Sequence, residues 1–367
     1  MRLPVVIVLR TTDDVLRWAG RLVEPPLRTA IGRLPEPSRE VAELQLGWHA
    51  GDDAPAASLR SALTLVCADA VGGDPHDAMP SAVAVELMHH WSAIRRDLVD
   101  ERADGTAWSI LGAEPASLGG EALLALAFDV IATGDPTHSS PARRLTLLDP
   151  DAPARPRQRS GQAGPDRAML RILGDTVQEL LHGQHASLAL RDTRPETGGE
   201  ERTDLLRDCL AMVEQRTGAL FGCACALGAV AGGGDAAQVE RLRLFGVRLG
   251  LAVQFTEDLL GIWGDGRHSP RSYPDLRRRR RSLPVAAAIA AGADELVALF
   301  DGRGRLSDAD AERAAKTIEQ SGARDWCRRQ AEELLSQALL ALDLASPSPA
   351  AVAELVALAR RATATPR

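Results

Sequence analysis

The sequence predicts an all-α protein organised as one large domain, and three observations carry that expectation. Ala, Leu and Arg, all good helix formers, are the commonest residues. Alternating β-branched patterning is almost absent after residue 10. Apolar residues make up 45% of the 367, enough for a sizeable core and too many for wholesale disorder. Length alone would suggest roughly two domains. No repeat or shift of composition divides the chain, so a single unit is the better reading.

The elements follow in order. Residues 1–40 read as an N-terminal extension, 41–345 as the helical domain and 346–367 as an Ala/Pro-rich tail expected to fray. Amphipathic segments run near 56–72, 81–100, 119–133, 166–191, 202–231, 236–263, 281–300, 308–321 and 323–343. Gly- and Pro-containing stretches such as GGDPHDAMP (72–80) and TGDPTHSSP (133–141) separate several of them. Residues 133–165, rich in Pro, Arg, Ser and Asp, read as a long mobile loop, and RDTRPETGGEE (191–201) as a second polar loop.

Charge and cysteine usage narrow the function classes. The net charge of −7 argues against nucleic acid as the main partner. Five cysteines are too few and too odd in number for a disulfide scaffold. Cys223 and Cys225 lie in ALFGCACALGAV without the further ligands a zinc site needs, and read as small buried hydrophobes in a reducing cytosol. The opening LPVVIVL is far shorter than the ~20 residues of a spanning helix. A cytoplasmic protein without stable membrane insertion is expected. Of the 43 Lys and Arg residues a single one, Lys316, is lysine.

Three places offer chemistry. Asp97 and Asp100, three apart, share one helix face in RRDLVD (95–100). Glu257 and Asp258 interrupt a strongly apolar helix, with Asp265 two turns beyond Asp258. Acids in such helices are costly unless paired or bound to metal, and oxygen ligands of this kind suit Mg²⁺. Asp275 precedes five consecutive arginines, Arg277–Arg281, suited to phosphate oxygens. Each place has a plainer alternative: a surface ion pair between Arg96 and Asp100, a polar corner at Glu257 and Asp258, and a solvated arginine stretch.

Taken in order, AVGGDPHDAMPSAVAVELMHH, GGEALLALAFDVIA, LLHGQHA, MVEQRTGALF, GLAVQFTEDLLGIWGD and DLRRRRRSLPV resemble the trans-isoprenyl diphosphate synthase (polyprenyl synthetase) family, whose helical-bundle fold class I terpene synthases share. The resemblance covers roughly residues 45–290. It implies two aspartate-rich motifs facing each other across the mouth of a bundle and holding Mg²⁺, up to three ions, around a prenyl diphosphate. The metal side would be Asp97, Asp100, Glu257, Asp258 and Asp265, with Asp97, Asp100, Glu257 and Asp258 as the catalytic acids. Arg60, Arg96, Arg102, Arg216, Gln254 and Arg271 would contact the diphosphate, together with some of Arg277–Arg281. Trp91, Gln184, Phe221 and Phe255 would line or orient the cavity, and ordinary core packing is the alternative for the aromatic residues. A homodimer is implied as well.

The departures from that family are specific. Arg96 stands where the first motif begins with aspartate, Glu257 replaces the first aspartate of the second motif, and Gly261 replaces its third. The arginines expected after the first motif are reduced to Arg102. The family's GKRLRP aligns with Ala56-Ala57-Ser58-Leu59-Arg60-Ser61, keeping only Arg60 of its cations. A general Lys-to-Arg bias cannot explain the loss of charge at Ala57. These losses disfavour binding of a second diphosphate. The expectation is therefore a class I terpene synthase that ionises and cyclises one C15 or C20 prenyl diphosphate. The alternatives are a chain-elongating prenyltransferase and a non-catalytic partner subunit.

Overall fold

The computed structural model describes residues 10–48, 58–99, 105–137, 163–192, 199–264, 273–302 and 304–364. Their elements are helices throughout: α1 (Thr12–Ile31), α2 (Glu36–Gln45), α3 (Leu59–Ala70), α4 (Met79–Val99), α5 (Ala107–Leu111), α6 (Ala113–Thr133), α7 (Ala163–Asp192) and α8 (Gly199–Val213). After a five-residue π-turn, Glu214–Gly218, come α9 (Ala219–Ala231), α10 (Ala236–Trp263), α11 (Pro274–Arg277), α12 (Leu283–Ala290), α13 (Asp294–Phe300), α14 (Asp308–Gln320), α15 (Ala323–Leu344) and α16 (Pro349–Ala362).

Local chemistry sets many of the boundaries. Thr11 and Asp14 form a reciprocal capping box at α1, and Asp235 and Gln238 form another at α10. Ser58, Ser307 and Ser348 cap α3, α14 and α16 through side-chain oxygens that accept backbone N–H groups. Gly134 ends α6 in the left-handed conformation that glycine adopts without penalty. The predicted helix 281–300 is two helices, because the chain turns at Gly292, whose φ is +94°.

The helix α10 is the axis of the molecule. Leu242, Phe245, Leu249 and Val253 face one core, shared with α1, α3, α4, α6, α9 and α16. Val247, Leu251, Phe255, Leu259 and Ile262 face a second core, shared with α8 and α12–α15. A helix apolar on both faces can be stable only when enclosed, which is the position it takes. Two glycines allow close approaches between helices: a Cβ at Gly228 would overlap the Thr64 carbonyl oxygen of α3, and one at Gly246 the Phe221 carbonyl oxygen of α9. Helices α3, α9 and α10 therefore meet backbone to backbone.

Both ends of the chain pack into the same structure. The segment read as an N-terminal extension supplies α1, which buries Val15, Ala19, Val23, Leu27 and Ile31. The tail expected to fray instead forms α16 against α3, burying Leu355 and Leu358. Arg10 ties the two ends together, donating from Nε and Nη2 to the two carboxylate oxygens of Glu354 at 2.7 Å each. Helix α6 is long and apolar enough to cross a membrane by length and composition, yet one side of it packs on α4 and α2. The five cysteines are unbridged and buried, and burial pushes the Cys223 thiol up to about 12.

Candidate active site

A cavity of about 1270 Å³ opens between α3, α4, α7, α8, α9 and α10 and the segment leading from α11 to α12. Among the described residues its wall carries eight arginines (Arg60, Arg96, Arg216, Arg278–Arg281 and Arg305) against three carboxylates (Glu257, Asp258 and Asp301). The apolar part of the wall includes Leu220, Phe221, Val253 and Leu283. The composition suits a ligand with an anionic head and a hydrocarbon body.

The acidic side comes from α10. Asp258 is 2% exposed, and each of its oxygens is engaged. Oδ1 accepts from Gln254 Nε2 at 2.8 Å and lies 3.4 Å from Arg280 Nη2, while Oδ2 accepts the Leu283 backbone N–H at 2.9 Å. Gln254 is oriented in turn by Thr217, whose hydroxyl donates to its Oε1 at 2.8 Å. Thr217 and Arg216 lie in the π-turn, a local widening of the helix that often re-aims side chains at functional sites. Arg280 reaches back to Asp275 Oδ2 at 2.9 Å, so one guanidinium bridges two carboxylates. A Cβ at Gly261 would overlap that same Asp275 oxygen, which explains the glycine where the family pattern has aspartate. Burial raises the Asp258 carboxyl above its ordinary value, against the opposing pull of Arg280, Leu283 N–H and Gln254.

Glu257, one residue earlier, opens onto the cavity. Its carboxyl is raised above the usual range, first by the surrounding protein and then by Asp258, while Arg60, Arg280 and Arg96 pull the other way. The opposite wall is built by α3 and α4. Arg60 Nη2 lies 3.3 Å from His89 Nε2, and its guanidinium stands 5.4 Å from the Phe221 ring centre. Burial and the charges of Arg60, His90 and Arg96 hold His89 well below its usual value. It is therefore neutral, and its Nε2 accepts from Arg60. Behind them lies the buried Glu86, whose carboxyl is raised by burial against the pull of Arg60, while Ser58 Oγ accepts the Arg60 N–H at 3.2 Å at the start of α3.

The structure gathers some of the expected site residues and disperses others. Arg60, Arg96, Arg216, Phe221, Gln254, Glu257 and Asp258 all line the cavity. Trp91 and Phe255 do not: Trp91 is 1% exposed in the first core, and Phe255 is fully buried edge-on against Trp326 in the second. Packing takes both, because each sits on the side of its helix that meets another helix. Gln184 is buried in the α7 interior, where it accepts from Arg95 Nε at 3.1 Å. Asp97 is 7% exposed, 3.8 Å from Arg96 Nε, and is not part of the wall. Asp100, Arg102, Asp265 and Arg271, like Ala56 and Ala57, lie outside the described residues. His89, Thr217 and Arg305 escaped the sequence reading. The histidine pair in an otherwise apolar helix was the one local signal for His89.

Among the described residues the donor set is incomplete for a magnesium centre, since two of the five expected acids, Asp100 and Asp265, lie outside them. No three His, Cys, Asp or Glu side chains come together there. Asp258 is already satisfied by protein donors, and Asp97 stands away from the wall, which leaves Glu257 as the described motif acid open to the cavity.

Residues 52–318 match the family model described as polyprenyl synthetase. The chain belongs to the polyprenyl synthetase family. It is 35% identical over 347 residues to a (2E,6E)-farnesyl diphosphate synthase of Mycobacterium tuberculosis, covering 90% of this chain and 87% of that one. To a geranylgeranyl diphosphate synthase of the same organism it is 34% identical over 350 residues, covering 92% and 90%. A polyprenyl synthetase of Streptomyces coelicolor superposes with a TM-score of 0.79 at 31% identity, over 95% of this chain and 99% of its own. The all-α isoprenoid synthase fold expected from the resemblance is the fold found.

Proposed function

We propose that this polyprenyl synthetase family member is a chain-elongating prenyltransferase, which condenses an allylic prenyl diphosphate with isopentenyl diphosphate. The observation that carries the reading is the eight-to-three excess of arginines over carboxylates on a cavity with an apolar flank. Such a wall offers charge for more than one diphosphate group. Relatives similar over nearly the whole chain are named as farnesyl and geranylgeranyl diphosphate synthases. Together these favour the alternative over the cyclising terpene synthase expected from the motif departures. Arg278–Arg281 and Arg305 add cationic charge on another wall, where Arg279 and Arg281 are held by the backbone carbonyls of Leu299, Gly304 and Leu190.

In this reading the departing diphosphate is stabilised by guanidinium groups already oriented before reaction, so little reorganisation accompanies the growth of charge on it. The Phe221 face and the neighbouring leucines exclude water from the carbon that becomes cationic. Neutral His89 and Arg60 form one fixed polar corner. Thr217, Gln254 and Arg280 hold Asp258 in place beneath the reacting groups. The exposed side of α6, where Leu118 is 68% exposed beside Glu114 and Glu121, suits contact with a second copy of the chain.

The test is incubation of the purified protein with C10, C15 and C20 allylic diphosphates and magnesium, with and without isopentenyl diphosphate. Longer diphosphates formed only in the presence of isopentenyl diphosphate are expected. Hydrocarbon or alcohol formed without it would establish the cyclising reading, which Arg96 in place of the first aspartate favours. No turnover with any combination would point to a partner subunit.

A further inference from the structure

The family resemblance implies metal ions gripped by two acidic motifs, but on the described wall the first of them presents an arginine, and Asp258 of the second is engaged by protein donors. Arg96 occupies the first aspartate position of the α4 motif and lines the cavity. Across from it, Arg280 is fixed between Asp258 and Asp275, at 3.4 and 2.9 Å. Both oxygens of Asp258 are spent on Gln254, Arg280 and the Leu283 N–H. Among the described residues there is no acidic triad to recruit a divalent ion. Arg60, Arg96 and Arg280 line the same cavity as Glu257, and all three pull its carboxyl downward.

A guanidinium presents paired N–H donors that match two phosphate oxygens and carries its charge at any metal concentration. We propose that the cavity binds a diphosphate group directly through arginine, with Arg96 supplying charge that a magnesium ion would otherwise bring, so that binding does not require a divalent cation. The proposal rests on the reading that the cavity takes a prenyl diphosphate. It concerns the binding step alone.

Calorimetric titration of the full chain with inorganic pyrophosphate, and with a geranyl thiolodiphosphate that resists ionisation, tests it in EDTA and in excess magnesium. Binding in EDTA is expected within about threefold of that in magnesium. Arg96→Ala should weaken binding in EDTA at least ~10-fold, Arg96→Lys should recover part of the loss, and Arg96→Asp should make binding magnesium-dependent. Far-ultraviolet circular dichroism on each variant separates loss of contact from loss of fold. Binding by the native protein only with magnesium would overturn the proposal, as would native-like binding of folded Arg96→Ala in EDTA. The two readings fail separately. Pyrophosphate binding in EDTA without chain elongation would sink the proposed function alone, and elongation by a protein that binds only with magnesium would sink this inference alone.

Discussion

Gln254 donates from Nε2 to Asp258 Oδ1 at 2.8 Å, one turn apart on the interior of α10. The pair anchors a chain that runs from Thr217 in the π-turn through Asp258 to Leu283 at the start of α12. One buried carboxylate thus joins three elements that would otherwise meet through apolar contact alone.

Removing that carboxylate strands a buried N–H and loosens Arg280. Asp258→Ala is expected to lower unfolding free energy by about 3 kcal/mol or more and to abolish turnover. Asp258→Asn, which can still accept from Leu283, should lose less stability. Denaturant unfolding followed by activity assay distinguishes them. Native stability in the alanine variant would contradict the structural role assigned here.

Restoring the family's aspartate at position 261 should damage the protein. The new Cβ would displace Asp275 from Arg280, at a cost of about 1–3 kcal/mol. Thermal melting of Gly261→Asp checks this, and an unchanged midpoint would show that Asp275 can move freely.

His90 makes stability depend on pH. Burial, aided by the Arg60 charge, lowers its value to about 4 from an ordinary 6.5. Between those limits the unfolded chain takes up a proton that the folded one refuses, so stability falls as pH drops. In His90→Asn the loss between about pH 7 and about pH 5 should be smaller by about 2 kcal/mol. Raised carboxyls at Glu86, Glu257 and Asp258 act in the opposite direction. Comparing the two proteins cancels that contribution, and equal slopes would refute the assignment.

The C-terminal helix should matter for stability. Glu354→Ala, which leaves Arg10 without its bidentate partner, is expected to cost about 1.5–3 kcal/mol. A chain ending at Ala345 should melt at a much lower temperature, because Leu355 and Leu358 each contribute about 1.5–3 kcal/mol by burial. A truncated chain that melts with the full one would show that α16 is dispensable.

Much of this molecule was legible in one dimension. Helical spacing, breaks such as GGDPHDAMP and the ordered motifs located the helices and named the family, because turn chemistry and periodicity are local properties of the chain. The same properties placed Arg60, Arg96, Gln254 and Glu257 near one another through the family pattern. They could not show that Trp91 and Phe255 turn into the two cores, or that Arg305 and His89 join the cavity wall. Nor could they show Asp258 satisfied by an N–H from another helix, or α16 seated on α3. A helix such as α10, apolar on opposite faces, is compatible with many neighbours. Which residue meets which is settled by close packing and by the need of every buried charge for a partner, and those depend on residues distant in the chain.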